Sequence, residues 1–299
     1  SNAFMQVFAV DPATPATVYA AGGDIAKTTD GGISWTTFSG IYGQAIAVAA
    51  TTPSTVYIAP YGGSTTILKS ANGGQDWTPG GLADAIVFAI AADPGDPASL
   101  YAGTQADGVF KSTDSGETWA AANHGLTGCS GGDISVDPTM VGRIYTTGGY
   151  CGFLGSFDFG ATWTRPDPGY SPQQVVVAPT SPSTTYAASS SGAAAIKKSV
   201  DGGVTWDRSD SGIAGSQPMV TALALDPSDP TRLCAGTFPD TGVFRTMNSG
   251  ESWSPASTSP PSYVRVIVAD PSSPATLYAG MSANGVWKSS DGGDTWTAT

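Results

Sequence analysis

The chain has 299 residues, of which 39 are Gly and 22 are Pro, so helices cannot dominate it. Apolar residues make up 40% of the chain, which is enough for a large core and too much for intrinsic disorder. The formal net charge of -12 argues against nucleic acid and anionic membrane surfaces as partners, because binding to either relies on Lys and Arg side chains.

The chain opens with Ser1, Asn2 and Ala3, which we expect to be the remnant of a cleaved expression tag. A native signal peptide would then be missing from this sequence. No apolar run approaches the roughly 18 residues that a membrane span needs, so we expect no membrane insertion. The folded part is predicted to be a single domain of residues 4–299.

Tryptophan marks an internal repeat that runs through the whole chain. Seven of the eight Trp residues follow one another at intervals of 42, 42, 44, 43, 47 and 43 residues, and each ends a similar octapeptide. In chain order these octapeptides are TTDGGISW, SANGGQDW, STDSGETW, SFDFGATW, SVDGGVTW, TMNSGESW and SSDGGDTW. Ser or Thr, Asp or Asn, Gly and Trp keep their places in every copy, so the chain is built from seven repeats.

Each repeat contains four short extended segments. An apolar segment leads into a Pro-rich turn such as DPATPATVY, a second segment carries Tyr, a third such as GVFKS precedes the octapeptide, and the Trp opens a fourth. Four strands in about 43 residues are typical of a β-propeller blade. The sequence therefore predicts an all-β, seven-bladed β-propeller with four antiparallel strands per blade, the blades covering about 4–42, 43–84, 85–127, 128–170, 171–214, 215–258 and 259–299.

The order of the segments also predicts how the ring closes. The chain opens in a first strand and ends in a fourth, so each blade should be one contiguous repeat with no strand exchanged between the termini. Packing between blades must then hold the ring. We expect large side chains of the first strands, such as Ile90 and Leu223, to lie between adjacent sheets.

The octapeptide resembles the Asp-box, or BNR repeat, of sialidases, sortilin-type receptors, photosystem II assembly factors and tandem-propeller xyloglucan hydrolases. With its DP turns and the run GVFKSTDSGETW, the chain is most similar to one propeller of the last family. We expect a structural role, in which the Asp or Asn accepts bonds from turn N–H groups and the Trp packs against the blade. The residues concerned are Asp30, Asn72, Asp114, Asp158, Asp201, Asn248, Asp291, Trp35, Trp77, Trp119, Trp163, Trp206, Trp253 and Trp296.

One face of the predicted ring varies from blade to blade. It carries the loops between second and third strands and those between blades, and we call it the top face; functional residues concentrate in such loops. The aspartates expected there are Asp24, Asp84, Asp107, Asp133, Asp167, Asp210 and Asp240. The aromatic residues expected there are Tyr42, Tyr61, Tyr150, Phe153, Tyr170, Phe238 and Tyr263. This composition suits stacking on sugar rings or contact with a peptide, although exposed loop aromatics are also ordinary.

Aligning the first strands on the DP turn predicts two rings around the central channel. The deeper ring is apolar and consists of Phe8, Ile46, Ile90, Ile134, Val175, Leu223 and Ile267. The rim at the channel mouth is mostly polar and consists of Gln6, Gln44, Phe88, Gly132, Gln173, Thr221 and Arg265. From the rim and the top loops, the candidate ligand-binding residues are Gln6, Gln44, Tyr61, Asp107, Tyr150, Phe153, Gln173, Phe238 and Arg265.

The three cysteines fall into two kinds. Cys129 and Cys151 lie in top loops beside neighbouring strands, which predicts a disulfide and hence an oxidising, extracytoplasmic location. Cys234 replaces the Tyr of a second strand, so we expect a buried free thiol.

Several kinds of chemistry lack the residues they need. Residues 128–132 match the G-x-S-x-G pattern, but they lie between propeller strands and not at a strand-to-helix turn. With one His and two paired cysteines, a zinc site is not expected. We predict neither a metal nor another cofactor. Calcium binding by carboxylates of the top face is the alternative that the sequence leaves open. Sialidase activity requires three clustered arginines, whereas only Arg265 faces the top.

The resemblance to xyloglucan hydrolases implies one possible catalytic base. In that family the base is an Asp in the first blade's loop between the second and third strands, and the similar stretch AAGGD here ends at Asp24. The family's general acid comes from a second propeller, which has no counterpart in these 299 residues. An inverting pair about 6.5 to 9.5 Å apart would need Asp107, Asp240 or another top carboxylate.

These observations predict a secreted or cell-surface, monomeric propeller that binds a carbohydrate or peptide through its top face without covalent chemistry. Glycoside hydrolysis of a β-glucan-like polysaccharide is the alternative. A protein interaction or assembly scaffold is the second alternative, and the sequence does not distinguish it from the ligand-binding propeller.

Overall fold

The computed structural model describes the chain except residues 1–4, 39, 52–53, 62–65, 127, 149–150, 168–169, 180–183, 190–193, 214–218, 239–241, 261–262, 271–272 and 282–284, and the side chains of residues 5 and 6. The described residues form 27 β-strands and contain no helix that is long and apolar enough to cross a membrane. The predicted all-β class is therefore confirmed.

Seven antiparallel sheets follow one another along the chain, and each is one blade made from one contiguous repeat. The first strands are β1 (Met5–Val10), β5 (Gly43–Ala49), β9 (Val87–Ala92), β13 (Ile134–Val136), β16 (Gln174–Val177), β20 (Met219–Leu225) and β24 (Val264–Ala269). The second strands are β2 (Val18–Gly22), β6 (Thr55–Pro60), β10 (Leu100–Thr104), β14 (Ile144–Thr147), β17 (Thr185–Ala188), β21 (Leu233–Phe238) and β25 (Leu277–Met281).

The outer half of each blade is shorter. The third strands are β3 (Ile25–Thr28), β7 (Leu68–Ser70), β11 (Val109–Ser112), β15 (Phe153–Ser156), β18 (Ile196–Ser199), β22 (Val243–Thr246) and β26 (Val286–Ser289). The fourth strands are β4 (Thr36–Phe38), β8 (Thr78–Pro79), β12 (Ala120–Ala121), β19 (Asp207–Arg208), β23 (Ser254–Pro255) and β27 (Thr297–Ala298).

Blade 4 departs from the predicted four strands. Its described residues form a single bridge between Gly155 and Thr164 in place of a fourth strand. In other blades the residue three positions after the octapeptide Trp donates its N–H to the third strand, as Ala122 does to Val109. Blade 4 has Pro166 at that position, and proline has no N–H to donate.

The first strands form the inner wall of a closed ring. Each packs against the first strands of the two neighbouring blades, and β24 of blade 7 packs against β1 of blade 1. Strand β1 pairs with β2 of its own blade, so no strand is exchanged between the termini, as predicted. Ile90 packs with blade 2 residues and Leu223 with blade 5 residues, which confirms that the first strands wedge between sheets.

Two recurring polar contacts join adjacent blades. In blades 2, 4 and 7 the Tyr of the second strand donates its hydroxyl to a backbone carbonyl of the next octapeptide, as Tyr57 does to Ser115 at 3.0 Å. At the closure Tyr278 and Lys288 of blade 7 both donate to the carbonyl of Gly31 in blade 1, at 2.5 and 2.6 Å. The deeper apolar ring predicted around the channel is buried at all seven positions.

Candidate functional site

The seven octapeptides form turns in which the Asp or Asn side chain accepts hydrogen bonds from groups of the same turn. In blade 3, Asp114 accepts hydrogen bonds from the backbone N–H and the hydroxyl of Thr118 at 2.9 and 2.5 Å, and from the hydroxyl of Ser112 at 2.8 Å. The bonds from Thr118, with a smaller one from Ser112, lower the pKa of Asp114 to about 2. The same Asp or Asn bonds occur in the other octapeptides. These carboxylates remain ionised and hold the turn.

The octapeptide Trp side chains are half-buried or buried, and several also reach the neighbouring blade. The indole N–H of Trp253 donates to the carbonyl of Ser209 in blade 5 at 2.8 Å, and that of Trp163 donates to Ala122 in blade 3 at 2.8 Å. The sequence predicted packing against the blade and missed this bond between blades.

Three of the predicted top-face aspartates are structural. Asp210 has a buried side chain that accepts the N–H of Ala195 at 2.7 Å and pairs with Arg208. Asp167 pairs with Lys197. Asp133 accepts the N–H of Val175 in the next blade at 2.9 Å. These carboxylates were expected in exposed loops, but each is bonded within the fold.

The carboxylates considered for hydrolysis are not brought together by any contact in the described structure. Asp24 is half-buried in the loop before β3, and Asp107 is exposed in the loop before β11, so the whole of blade 2 separates their blades. Asp240 lies outside the described residues. Among the described residues, no three His, Cys, Asp or Glu side chains gather as metal ligands.

Phe153 was predicted to bind the ligand, and the structure shows that this prediction is wrong. It is fully buried, its ring stacks on Tyr145 at 5.8 Å between centroids, and it meets Trp206 edge-on at 4.8 Å. The third strand of every blade carries an apolar residue at this position, such as Val109 or Val243, so aligning the third strands would have found it. Tyr170, also expected in an exposed loop, is buried and donates to the carbonyl of Ala187 at 2.7 Å.

The top face of blades 6 and 7 carries a compact group of two aromatic rings and one guanidinium. The rings of Phe238 and Tyr263 lie 4.8 Å apart between centroids, and the Arg265 guanidinium carbon lies 5.0 Å from the centroid of the Tyr263 ring. Phe238 and Arg265 are both exposed. We call these three residues the Phe–Tyr–Arg cluster. Its position follows from the fold, because β21 ends and β24 begins at the top of the ring.

A second exposed aromatic group lies on blades 2 and 3. The backbone N–H of Tyr61 donates to the carbonyl of Tyr42 at 2.6 Å, which sets these two residues side by side, with exposed fractions of 67% and 59%. Phe88 at the rim of blade 3 is also 44% exposed. Counted the short way round the ring, blade 2 is three blades from blade 6, so the two aromatic groups lie on different sides of the channel.

Five of the seven rim residues lie at β-bulges. The pairing of first and second strands shifts register at this one position in blades 1, 2, 3, 6 and 7. The residues concerned are Gln6, Gln44, Phe88, Thr221 and Arg265. A bulge takes a residue out of the ladder and re-aims its side chain, and bulges are common beside functional sites. The sequence predicted the rim but not the bulges, which depend on strand register.

Two rim side chains already bind the neighbouring blade. Gln44 donates its amide to the carbonyl of Val87 at 2.6 Å, and Thr221 donates its hydroxyl to the carbonyl of Val264 at 2.7 Å. Gln173 is exposed beside β16. Tyr150 and the side chain of Gln6 lie outside the described part of the chain.

The structure contains the predicted disulfide between Cys129 and Cys151, with Cα atoms 5.5 Å apart. It joins the loop that leads into blade 4 to the loop before β15, both on the top face. Cys234 is free and buried, also as predicted, and burial raises the pKa of its thiol to about 12.

Similar proteins are found among solved structures. The chain superposes on a GH74 xyloglucanase from Xanthomonas campestris with a TM-score of 0.81 and 19% identity, covering 98% of this chain and 52% of that chain. For a GH74 enzyme from Niastella koreensis the TM-score is 0.77 and the identity 22%, with 97% and 52% covered. For YCF48 bound to D1 peptide the TM-score is 0.71 and the identity 15%, with 97% and 93% covered.

These similarities concern the fold. No family model and no curated protein matches the chain. It spans about half the length of the GH74 structures and nearly all of YCF48. The neighbours therefore include a hydrolase and a peptide-binding protein on one scaffold, and a propeller supports unrelated activities.

Proposed function

We propose that this protein binds an uncharged polysaccharide of the β-glucan type across its top face and does not cleave it. The observation that carries the proposal is the Phe–Tyr–Arg cluster at the channel mouth, with Tyr263 between Phe238 and Arg265. An aromatic face packs on the C–H face of a sugar ring, and guanidinium or amide groups bond to its hydroxyls.

The rest of the top face supports a ligand longer than one sugar. Tyr42 and Tyr61 provide a second aromatic surface on another side of the channel, and the rim has a bulge at each group, at Arg265 in the first and at Gln44 beside the second. A chain that spans the mouth would contact both. The negative net charge of the protein favours a neutral glycan over an anionic one.

Calorimetric titration with cello- and xyloglucan oligosaccharides tests this proposal. We expect Tyr263→Ala to weaken binding by about tenfold or more, which is the loss typical of a central aromatic contact. Phe157→Ala is a matched control, because Phe157 also faces a guanidinium, that of Arg143 at 5.3 Å, but lies in an octapeptide away from the top face. If no oligosaccharide binds but an extended peptide does, the glycan assignment is wrong.

Hydrolysis is the second candidate, favoured by the GH74 neighbours and by Asp24 in the first blade. Under our proposal the wild-type protein releases no reducing sugar from xyloglucan or mixed-linkage β-glucan. Release of product that Asp24→Asn abolishes would establish the hydrolase instead.

We also propose a class for the octapeptides and a location for the protein. We assign the seven octapeptides to the Asp-box class, on the strength of their shared Asp or Asn bonds. We also propose an extracytoplasmic location, since disulfides persist in oxidising compartments.

A further inference from the structure

Exposed apolar side chains on the face of the octapeptides are concentrated in three consecutive blades. Among the described residues, blades 4, 5 and 6 expose large apolar side chains there, whereas blades 2, 3 and 7 have none at the same positions and blade 1 has only Ile33. The exposed residues of blades 4 to 6 are Val141, Phe157, Phe159, Val200, Val204 and Met247.

Contacts between neighbouring blades join these residues into one surface. Arg143 of blade 4 faces the ring of Phe157 and donates to the carbonyl of Gly202 in the octapeptide of blade 5. Lys198 of blade 5 donates to the carbonyl of Ser249 in the octapeptide of blade 6, two residues after Met247. Solvent-exposed apolar groups that cluster in this way mark interaction sites more often than scattered ones do.

A groove of about 520 Å³ opens in this surface between blades 5 and 6. Val200, Thr205 and the strand residues Asp207 and Arg208 line it from blade 5, and Glu251 lines it from blade 6. Val200 and Val204 of the same octapeptide have exposed fractions of 58% and 59%, and Met247 has 51%.

The repeat supplies an internal comparison for the charged residues of this groove. Between blades 2 and 3, Lys69 pairs with Glu117 at 2.7 Å. Between blades 6 and 7, Arg245 pairs with Asp294 at 2.8 Å. The equivalent pair between blades 5 and 6 would be Lys198 and Glu251. It does not form, and Lys198 instead donates to the carbonyl of Ser249 at 2.9 Å, as Lys27 and Lys288 do to carbonyls at their own junctions.

The groove therefore has unbalanced negative charge. In the described structure, neither Asp207 nor Glu251 makes a side-chain hydrogen bond or ion pair, and both are exposed. Of the two cations that line the groove, Arg208 pairs with Asp210, whereas Lys198 bonds to the backbone carbonyl of Ser249 and keeps its charge. With three carboxylates and two cations, the lining has a formal net charge of -1, and a positively charged group entering the groove would meet two carboxylates that form no ion pair within the described structure.

We propose that this surface docks a segment of a partner protein in which a Lys or Arg enters the groove between Asp207 and Glu251. Aliphatic residues beside that cation pack on Val200, Val204 and Met247. This site goes beyond the proposed polysaccharide function, since it uses the octapeptide side of the ring and none of the rim residues. It would let the protein hold a polysaccharide and a protein partner at once.

Selection of a displayed library of random short peptides on the immobilised wild-type protein tests the proposal. We expect the enriched sequences to place Lys or Arg next to aliphatic residues. Binding of the enriched peptide should fall about tenfold or more in Glu251→Lys, as for a charge at an interface centre. Glu117→Lys, the equivalent position in blade 3, should leave peptide binding unchanged, and so should Arg265→Ala.

Val200→Ser is a second variant that leaves the charge of the groove unchanged, and its melting temperature reports whether it is folded. Folded Val200→Ser should also bind the peptide more weakly, because it removes an apolar contact. Enrichment of acidic or motif-free peptides overturns the proposal, as does peptide binding that survives both Glu251→Lys and Val200→Ser. Concentration-dependent dimers that Glu251→Lys abolishes, without an enriched peptide, would assign the surface to a second copy of this chain instead.

Discussion

The carboxylate of Asp133 in blade 4 accepts a 2.9 Å hydrogen bond from the backbone N–H of Val175 in blade 5. Ser135 of the strand that follows, β13, donates to the carbonyl of Val175 at 2.5 Å, so two side chains of blade 4 bind one residue of the next inner strand. Asp133 is deeply enclosed, although part of its surface remains accessible. Burial raises its pKa to about 6, with the hydrogen bonds from Val175 and Ile134 opposing the shift.

The raised pKa of Asp133 predicts how stability depends on pH. Its stabilising contribution is complete below its ordinary pKa of 3.8 and is lost as the pH rises through about 6. We expect the free energy of unfolding to increase by about 1 kcal/mol as the pH falls from 7 to 5. Asp133→Asn should flatten this part of the profile.

Denaturant melts of both proteins at several pH values measure this effect. The octapeptide aspartates have lowered pKa values, so their contribution is lost only at lower pH and does not interfere in this range. Parallel profiles for the wild type and Asp133→Asn would show that another group controls stability between pH 5 and 7.

The octapeptide Trp is predicted to stabilise the ring without affecting ligand binding. Trp253→Ala removes a buried ring and its bond to Ser209 in the neighbouring blade, so we expect a loss of about 3 to 5 kcal/mol. Trp253→Phe keeps most of the packing and isolates the bond, at about 1 kcal/mol. Unfolding melts give both values. A variant that keeps the wild-type melting temperature but loses glycan affinity would contradict the structural role.

The disulfide is predicted to stabilise the loops that flank blade 4. Replacing both Cys129 and Cys151 by Ser opens a link between residues 22 positions apart, and we expect a loss of about 3 kcal/mol. Thiol titration of the unfolded, non-reduced protein should find one thiol, that of Cys234. In the folded protein that thiol should react slowly, because its raised pKa keeps it protonated and it is buried. Three thiols in protein from an oxidising compartment would contradict the pairing.

Much of the fold could be predicted because the same sequence pattern recurs in all seven repeats. The spacing of Trp fixes the blade period, and the alternation within first strands separates the buried ring that includes Phe8 and Ile267 from the rim. The disulfide was predictable from loop positions alone. Blade 4 was predicted with four full strands, and Pro166 is the local reason that its outer strand is reduced to one bridge.

The candidate site could be predicted only in part. Exposed or buried status in a loop depends on tertiary contacts, so Phe153 and Asp210 were placed on the surface although both are buried. The rim bulges depend on strand register, and the Tyr263 contacts depend on how blade 7 follows blade 6. The missing ion pair at Glu251 could not be predicted either, because the equivalent basic and acidic residues do pair at two other blade junctions.

A crystal structure of the protein with its tightest-binding xyloglucan oligosaccharide tests the central claim most directly. We predict a sugar ring packed against Tyr263 or Phe238, hydroxyls bonded to Arg265 and a chain that crosses the channel mouth towards Tyr61. An oligosaccharide bound instead on the DP turns or the octapeptides, with the Phe–Tyr–Arg cluster empty, would contradict the assignment of the top face as the binding site.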